Sequence, residues 1–419
     1  MEKYKCKSVG IIGSGIQGIC IGLQLIKKGV PVTIFDRNDP LSKEFNPASY
    51  GNAGHFSPYA VLQFNRTDVL SDVPKMLFSS YGPLALKWNY IPKMIPWFLH
   101  YLKNTNKKSM LHTAKYMHQI LSLSNDAYEE IFKEIDTTNL IEKKGIIYVW
   151  TKKNLKSREL EIKVRNDLGI EQKLLTQKEI LELEPNLKPV FDAGVIYEKA
   201  MHARNPHRIL KEIFKLFLNK GGKFIQENII SLKQINDNKT IIKSERDEYN
   251  FEKTVIASGA FSKNLTDQLE ENIPLDTERG YHVHFKNMDH LISRPVIFLD
   301  RGFGMTPMDQ GLRAVGTVEL GGLENPPSKK RIDYIVKCAK ELLPQLQKHE
   351  DEWLGFRPTL PDFLPILGPS LKNKNIIYAF GHHHLGWTLG AITGKIISGI
   401  VAEEKTNLDL SPYSSKRFN

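Results

Sequence analysis

A glycine-rich turn at Gly13–Gly18, with the sequence GSGIQG, constrains the fold of this chain more than any other stretch. Val9–Ile12 before the turn predicts a short buried strand, and residues 19–28 after it predict a helix. Pro31–Phe35 predicts a second strand, which Asp36 closes about 20 residues after the middle glycine. This order of elements is typical of a dinucleotide-binding βαβ unit.

Each glycine of the turn has a physical role in such a unit. Gly13 allows the tight turn, Gly15 lets a pyrophosphate approach the backbone, and Gly18 lets helix and strand pack closely. The phosphates then lie at the helix N-terminus, and Asp36 accepts hydrogen bonds from the adenosine ribose. The alternative is an ordinary βαβ unit with incidental glycines. The motif alone does not distinguish NAD from FAD.

Length and composition indicate a soluble protein of two domains. The chain has 419 residues, of which 41% are hydrophobic and 25% charged. Its three cysteines, Cys6, Cys20 and Cys338, form no C-x-x-C pair, which argues against disulfides, zinc and iron–sulfur clusters and fits a reducing compartment. No run of about 20 apolar residues predicts a membrane span. We therefore expect a cytoplasmic protein without a metal site.

The formal net charge of +11 does not by itself indicate a nucleic-acid partner. Lysines are scattered among acidic residues, and no recognition motif is present. A more specific feature is the segment Leu77–Leu102, in which tryptophan and tyrosine are interleaved with Pro83, Pro92 and Pro96. One interpretation is a peripheral contact with the inner face of a membrane. The other is a set of amphipathic helices packed on the protein, with the prolines breaking any long helix.

Dinucleotide-type elements recur downstream. The sequence predicts a helix over Pro206–Asn219, a strand over Phe251–Ala257, and a C-terminal strand and helix over 375–380 and 386–402. These pieces predict one discontinuous Rossmann-like domain made of residues 1–75, 195–275 and 350–419. The segments 76–194 and 276–349 predict an α+β substrate domain with a mainly antiparallel sheet.

Several further blocks carry a resemblance to a known family. They are Ser49–Pro58, Ala257–Ser262, Gly355–Pro358, Pro365–Pro369 and Gly381–Thr388. In this order they resemble the FAD-dependent D-amino-acid oxidase superfamily, and most of all the bacterial D-amino-acid dehydrogenases. The resemblance spans nearly the whole chain and implies an α/β flavoprotein fold, bound FAD and oxidation of the Cα–N bond of an amino or imino acid.

The resemblance also implies which residues bind FAD. They are Gly13, Gly15, Ile16, Gln17, Gly18, Asp36, Arg37, Asn52, Ala53, Gly54, Gly259, Gly381, His383, Leu385, Gly386, Trp387 and Thr388. The helix that begins at Gly386 offers backbone donors and a favourable dipole to a flavin that gains negative charge. Because Asn52 stands where some relatives attach flavin to a histidine, and no cysteine follows Cys338, we expect non-covalent FAD.

Four residues are candidates for the substrate site. Arg357, in an apolar context before Pro358, is implied to clamp the substrate carboxylate, and a salt bridge to Asp362 or Glu352 is the alternative. Tyr281, His282 and His55 are candidates to line the substrate pocket, although a structural role suits each of them equally well. Alternation along the strand places Tyr281 and His282 on opposite faces.

The triplet His382–His384 does not predict a metal site, because consecutive side chains cannot easily converge on one ion. The family usually has glycine at position 383, so His383 is a departure that can reshape the pocket.

We expect electrons to pass to a quinone or another acceptor. Three alternatives remain: an oxygen-using oxidase of glycine or sarcosine type, an RNA-modifying flavoenzyme, and a non-catalytic flavin-binding subunit.

Overall fold

The computed structural model describes residues 6–42, 47–67, 82–152, 155–236 and 239–418. Within these ranges the strands are β1 Val9–Ile12, β2 Val32–Asp36, β3 His55–Phe56, β4 Leu84–Leu86, β5 Ile141–Glu142, β6 Ile146–Trp150, β7 Lys173–Thr176, β8 Ala193–Tyr197, β9 Met201–Ala203, β10 Lys223–Gln226, β11 Ile229–Asn236, β12 Lys239–Ser244, β13 Glu248–Phe251, β14 Lys253–Ile256, β15 Asp276–Lys286, β16 Val296–Phe298, β17 Phe303–Met308, β18 Gly311–Leu320, β19 Glu350–Thr359, β20 Ile366–Pro369 and β21 Ile376–Phe380. The α-helices are α1 Ile16–Lys27, α2 Ile91–Asn104, α3 Lys107–Leu121, α4 Ser124–Phe132, α5 Leu155–Asp167, α6 Gln177–Leu183, α7 Pro206–Asn219, α8 Lys263–Thr266, α9 Lys329–Leu342 and α10 Gly386–Val401.

A six-stranded sheet brings together segments that lie far apart in the chain. Its order is β10-β2-β1-β14-β21-β20, and every pair is parallel except β20 with β21. Helix α1 packs against α7 and α10 on one face, where apolar side chains such as Ile19, Phe214 and Leu389 are fully buried. The predicted discontinuous Rossmann-like sheet is therefore confirmed.

The second large sheet has nine strands and is mostly antiparallel. Its path is β19-β15-β18-β17-β16-β6-β8-β7, with β4 added beside β18. The pairs β16–β6 and β4–β18 are parallel, so the sheet is mixed. Helix α9 covers one face, where Val283 and Phe285 of β15 share a core with Ile335. The other face of β15 and β18 is directed towards the six-stranded sheet.

Two predicted elements differ in detail. Residues 251–257 do not form one strand, because β13 pairs with β12 in a small antiparallel sheet while β14 joins the parallel sheet. Helix α2 is not broken at Pro96, which lies inside it. Met94, Trp97 and Tyr101 form its buried face. Residues 77–81 of the aromatic segment lie outside the described residues.

The predicted domain limits stay a prediction, and some elements pack across them. Strand β19 is hydrogen-bonded to β15 in the nine-stranded sheet, although the limits assign residues from 350 onward to the dinucleotide domain. Helices α3 and α4 contact α10 and bury residues such as Met117 and Tyr128 in the core of the dinucleotide domain, although the limits assign them to the substrate domain. No helix in the described ranges is long and apolar enough to cross a membrane.

Candidate active site

A cavity of about 920 Å³ lies between the two large sheets. Four of its lining residues stand at the carboxyl ends of parallel strands: Ile12 ends β1, Asp36 ends β2, Phe380 ends β21 and Ala257 follows β14. Ligands of open α/β sheets bind at this edge. The opposite wall comes from β15, β18 and β19. The cavity is therefore placed to hold both a dinucleotide and a second molecule.

The three glycines of the turn meet different surroundings. Gly13 has a φ of +108°, and a Cβ there would lie 2.6 Å from the carbonyl oxygen of Ala257. A Cβ at Gly18 would overlap the carbonyl oxygen of Gly13. At Gly15 the nearest atom is the Ser49 Oγ at 3.7 Å, so this position is open to the cavity. The backbone is thus tight where the loop must fold and open where phosphate would approach.

Asp36 holds the glycine turn from the end of β2. Its Oδ2 accepts hydrogen bonds from the backbone N–H of Ser14 at 2.8 Å and from the Ser14 hydroxyl at 2.9 Å. The Ser49 Oγ accepts a bond from the N–H of Ile16 at 3.1 Å, in the first turn of α1. Asp36 also lines the cavity, and its predicted contact with ribose stays a prediction.

Four buried polar atoms of cavity-lining residues lack a hydrogen-bond partner among the described residues: the two ring nitrogens of His383 and two atoms that fit a dinucleotide with a ring system. The latter two are the Gln17 Oε1 and the Trp387 Nε1, and both residues line the cavity. The residue that precedes α10, Leu385, makes no side-chain capping bond to that helix. The N-terminal amides of α10 are therefore free of a side-chain cap at the place where the predicted flavin would lie.

Most of the predicted cofactor residues line this cavity. They are Gly13, Gly15, Ile16, Gln17, Asp36, Arg37, Asn52, Ala53, Gly259, His383, Leu385, Gly386 and Trp387. The other four predicted residues do not line the cavity and lie behind its wall: Gly18, Gly54, Gly381 and Thr388. Thr388 supports it, because its Oγ1 donates to the carbonyl of His55 at 3.2 Å and accepts from the N–H of Ser57 at 3.1 Å.

Arg357 reaches the cavity from β19 and has no carboxylate partner among the described residues. Its Nη1 donates to the carbonyl oxygen of Thr317 at 3.0 Å, and its guanidinium packs on Gly280, where a Cβ would overlap it. The alternative salt bridges are not formed: Asp362 pairs with Arg417, and Glu352 pairs with His349. Burial lowers the pKa of Arg357, and the charge of a buried glutamate opposes this shift.

That glutamate is Glu278, which the sequence analysis missed. It lies directly opposite Arg357 in the β15–β19 ladder and is 5% exposed. Burial raises its pKa to about 7, although the Arg357 charge acts in the opposite direction. Alternation along β15 places Glu278 on the same face as Gly280 and His282, so the strand pattern could have predicted its face, although its burial follows only from the order of the strands in the sheet.

The structure does not bring Tyr281 and His282 to the cavity. Alternation turns Tyr281 into the core beneath the sheet, where its hydroxyl donates to Glu319 at 2.5 Å and accepts from the N–H of Ser328 at 3.1 Å. His282 lies on the opposite face, as predicted, but its Nδ1 bonds the carbonyl of Gly51 at 2.9 Å and its ring stacks on Trp353. Neither side chain therefore lines the cavity: Tyr281 packs beneath the sheet, and His282 lies behind the cavity-lining Gly51.

His55 does line the cavity, and its ring is fixed by a short chain of hydrogen bonds. Its Nε2 lies 2.7 Å from the Thr306 Oγ1, whose own proton goes to the carbonyl of Ala53 at 3.0 Å. The hydroxyl must therefore accept from His55, which assigns the proton to Nε2 and leaves Nδ1 as an acceptor. Burial lowers the pKa of His55 to about 3, so the ring is neutral near pH 7.

The histidine triplet does not converge. The His382 Nε2 lies 3.0 Å from the Thr393 Oγ1, whereas His383 stacks on Phe363 with ring centroids 4.8 Å apart. His383 has a φ of +52°, the left-handed region that glycine adopts without strain, and neither of its ring nitrogens has a hydrogen-bond partner. No group of metal-binding side chains occurs in the described ranges.

Comparisons with known proteins agree on one family. A family model described as DAO, FAD dependent oxidoreductase, matches residues 8–400. The chain is 30% identical to a D-amino-acid oxidase of Bradyrhizobium diazoefficiens, over 98% of this chain and 99% of that protein. It is 27% identical to a D-amino acid dehydrogenase of Vibrio atlanticus, over 97% and 99% of the two chains.

Solved structures show the same fold at low sequence identity. Glycine oxidase from Geobacillus kaustophilus has a TM-score of 0.75 at 20% identity and covers 98% of both chains. L-proline dehydrogenase from P. horikoshii has a TM-score of 0.75 at 16% identity, with 99% of this chain and 98% of that chain covered. The predicted α/β architecture, with one parallel and one mixed, mostly antiparallel sheet, is therefore confirmed.

Proposed function

The chain belongs to the FAD-dependent oxidoreductase family named DAO, so its cofactor is FAD, and on that premise we propose that it oxidises the Cα–N bond of a small amino or imino acid. The observation that carries the proposal is Arg357, a cavity-lining guanidinium that forms no ion pair among the described residues, although the charge of Glu278 acts on it. A substrate carboxylate is the partner that its planar fork fits. The curated relatives named above support an amino acid of D configuration.

The chain's own residues act mainly by orientation. Bound FAD supplies the hydride acceptor. Arg357 fixes the carboxylate, and the wall around His55 and Trp387 limits the positions that the Cα–H can take. Because His55 is neutral and its Nδ1 is an acceptor, it can receive a hydrogen bond from the substrate amine without adding charge. The imino acid product leaves and hydrolyses in water to a 2-oxo acid and ammonia.

The cofactor is proposed to be held without a covalent bond. Cys6, Cys20 and Cys338 are buried, and none of them is among the described residues that line the cavity. Asn52 uses its side chain within its own loop, where its Oδ1 accepts from the N–H of Gly54 at 2.5 Å. Acid precipitation of the holoenzyme should leave all of the flavin in the supernatant.

The reaction class is tested by mixing the holoenzyme anaerobically with a panel of D- and L-amino acids, glycine, sarcosine and proline while flavin absorbance is followed. We expect at least one D-amino acid to bleach the flavin.

In Arg357→Met, kcat/KM should fall about 100-fold to 1,000-fold with FAD still bound, because a buried charge pair with the substrate is lost. Arg294→Met is the control, because this partly exposed arginine pairs with the buried Glu184 and does not line the cavity, and this variant should retain activity.

A panel in which no amino or imino acid bleaches the flavin would contradict the reaction class. Wild-type kinetics in Arg357→Met would contradict the carboxylate clamp alone. The two results are separable, because the second experiment is performed with a substrate that the first has identified.

We further propose that the electrons pass to a membrane quinone and that α2 contacts the bilayer. Trp88, Ile95, Leu99 and Leu102 are exposed hydrophobic residues on and beside this helix, with Trp88 at 69% and Leu99 at 64% exposure. The sequence between Asp72 and Asp126 contains no acidic residue and seven lysines. An apolar stripe within a basic segment suits an anionic lipid surface.

Vesicle sedimentation tests this contact. We expect the protein to pellet with vesicles that contain phosphatidylglycerol, and less with pure phosphatidylcholine. Ile95→Glu with Leu99→Glu should abolish pelleting, whereas Leu123→Glu, at an exposed leucine outside α2, should not. Equal pelleting of both variants would show that α2 does not make the contact.

Reoxidation of the reduced flavin tests the electron acceptor. Anaerobic reoxidation by a soluble quinone that is faster than reoxidation by oxygen supports the quinone. Peroxide formation at the turnover rate supports the oxidase alternative.

A further inference from the structure

Three consecutive carbonyl groups turn away from the cavity towards two buried side chains. The Arg313 Nη1 donates to the carbonyl oxygens of Asn52 at 2.6 Å and Tyr50 at 3.3 Å. Between them, the Nδ1 of His282 lies 2.9 Å from the carbonyl oxygen of Gly51. A carbonyl cannot donate, so this nitrogen carries the proton. The two side chains thus hold every carbonyl of the segment 50–52 from one side.

Peptide geometry then sets the direction of three N–H groups. The C=O and N–H of a trans peptide point in opposite directions, and the described residues contain no cis peptide bond. With the carbonyls of residues 50–52 held behind the wall, the N–H groups of Gly51, Asn52 and Ala53 point to the other side. These three residues line the cavity. They therefore present a row of backbone donors where FAD binds.

Arg313 brings a charge that makes no direct ion pair, although the more distant charge of Asp309 acts on it. It is 5% exposed, its Nε donates to the Nε2 of His284 at 2.8 Å, and it has no ion-pair partner among the described residues. Burial lowers its pKa to about 10, so it remains protonated near pH 7. Burial also lowers the pKa of His284 to about 3, which leaves that ring neutral. The group facing the three carbonyls is thus a buried cation.

The packing of Trp353 against Gly51 also holds the segment 50–52 in place. A Cβ at Gly51 would overlap the indole of Trp353, which stacks on His282 with centroids 4.9 Å apart. The chain at Gly51 can lie this close to the ring only because it has no side chain. Trp353 comes from β19, His282 from β15 and Arg313 from β18, so three adjacent strands of the nine-stranded sheet build one support.

We propose that Arg313 and His282 are positioning residues that aim the N–H groups of residues 51–53 at bound FAD, and that the Arg313 charge favours the reduced, negatively charged flavin. A buried cation interacts more strongly with an anionic cofactor than with a neutral one, because the protein interior screens charge weakly. Polarised peptides donate stronger hydrogen bonds in the same direction. The inference rests on FAD binding and not on the proposed amino-acid substrate.

The test uses apoprotein reconstituted with FAD and measures two properties besides activity: the dissociation constant of FAD and the midpoint potential of the bound flavin. Arg313→Met should raise the dissociation constant about 10-fold to 100-fold and make the potential more negative. Arg313→Lys keeps the charge, so its potential should stay closer to wild type than that of the Met variant. Arg331→Met is the control, because Arg331 is also buried and donates to a carbonyl, that of Gly82, away from the cavity.

His282 provides a second, independent arm if Arg313→Met does not fold. His282→Asn retains an N–H donor near the position of Nδ1 and should bind FAD within a few-fold of wild type. His282→Leu removes the donor and should weaken FAD binding about tenfold. The proposal is overturned if His282→Leu and His282→Asn bind FAD equally, or if Arg313→Met and Arg331→Met show the same affinity and potential. A failed amino-acid panel would leave these measurements unaffected.

Discussion

The two ends of the cavity are built in different ways. At the dinucleotide end, the contacts come from backbone and small side chains, with Gly13, Gly15 and Gly18 within one turn of the chain. At the substrate end, the contacts come from ionisable side chains, with the buried Glu278 directly opposite the partly exposed Arg357 on the neighbouring strand. One end depends on the absence of side chains, and the other depends on side chains that would be costly to bury without partners.

This difference predicts how each end responds to change. At the dinucleotide end, added volume should weaken FAD binding at Gly15 and Gly18 alike, and few of the contacts there depend on side chains that titrate. The substrate end tolerates isosteric substitutions, but its charges are coupled, so changes there should appear as pH dependence. The most informative substitutions are therefore those that change FAD binding without changing pH dependence, or the reverse.

The largest effect is expected from Gly18→Ala. Its Cβ would overlap the carbonyl oxygen of Gly13, a backbone atom that cannot move without distorting the turn. We expect the FAD dissociation constant to rise at least about 100-fold and the melting temperature of the apoprotein to fall. Gly15→Ala is the matched comparison, because the same methyl group meets no atom closer than 3.7 Å.

Gly15→Ala should therefore leave the apoprotein as stable as wild type while weakening FAD binding, since the methyl occupies the space that phosphate needs. Calorimetry of the apoproteins and FAD titration separate the two effects. If Gly15→Ala bound FAD like wild type, Gly15 would not face the pyrophosphate.

A smaller, pH-dependent effect is expected from Glu278→Gln. Because the pKa of Glu278 is raised to about 7, the wild-type carboxyl becomes an anion beside Arg357 as pH rises through 7. That anion competes with the substrate carboxylate, so the wild-type KM should rise about tenfold between pH 6 and pH 8. The Gln variant, which mimics the neutral acid, should keep its pH 6 KM at pH 8.

Stability gives the same comparison an independent check. A carboxyl whose pKa is higher in the folded state costs nothing below its unfolded pKa, and it destabilises the fold increasingly as pH rises from that value to the folded value of about 7, above which the cost is constant. Glu278→Gln should therefore gain stability relative to wild type at pH 8 and not at pH 4. Parallel pH profiles of KM and melting temperature in both proteins would contradict a titrating Glu278.

Sequence reasoning succeeded where the physical cause is local. The strand, turn and helix around Gly13–Gly18 lie within about 20 residues, so their pattern alone predicts their geometry. The C-terminal strand and helix were predicted to within about two residues for the same reason. The left-handed backbone of His383 shows the limit, because the family pattern marks a glycine position but not how a histidine there would stack on Phe363.

The rest depends on contacts between distant parts of the chain. Arg313 is hydrogen-bonded to carbonyls 261 and 263 residues away, and Glu278 is identified as buried only once β15 is known to lie between β18 and β19. Tyr281 and His282 are candidates because of the family resemblance, but neither lines the cavity, because Tyr281 packs beneath the sheet and His282 bonds to the carbonyl of Gly51. Pairing across the sheet also explains why β19 packs outside its predicted domain.

The smallest predicted effect concerns the backbone that holds Arg357. Thr317 has a φ of +62°, a left-handed conformation that costs a β-branched residue about 1–2 kcal/mol, and its buried hydroxyl lacks a partner. Its carbonyl, and not its side chain, accepts the bond from Arg357. Thr317→Gly should therefore raise the free energy of unfolding by about 1 kcal/mol and leave KM unchanged. Val318→Gly, one residue further and without a left-handed φ, should lose stability instead. A lower free energy of unfolding in Thr317→Gly, or a higher KM, would show that the threonine side chain helps to hold Arg357. The support of Arg357 would then depend on a side chain, like the rest of the substrate end, and not on backbone alone.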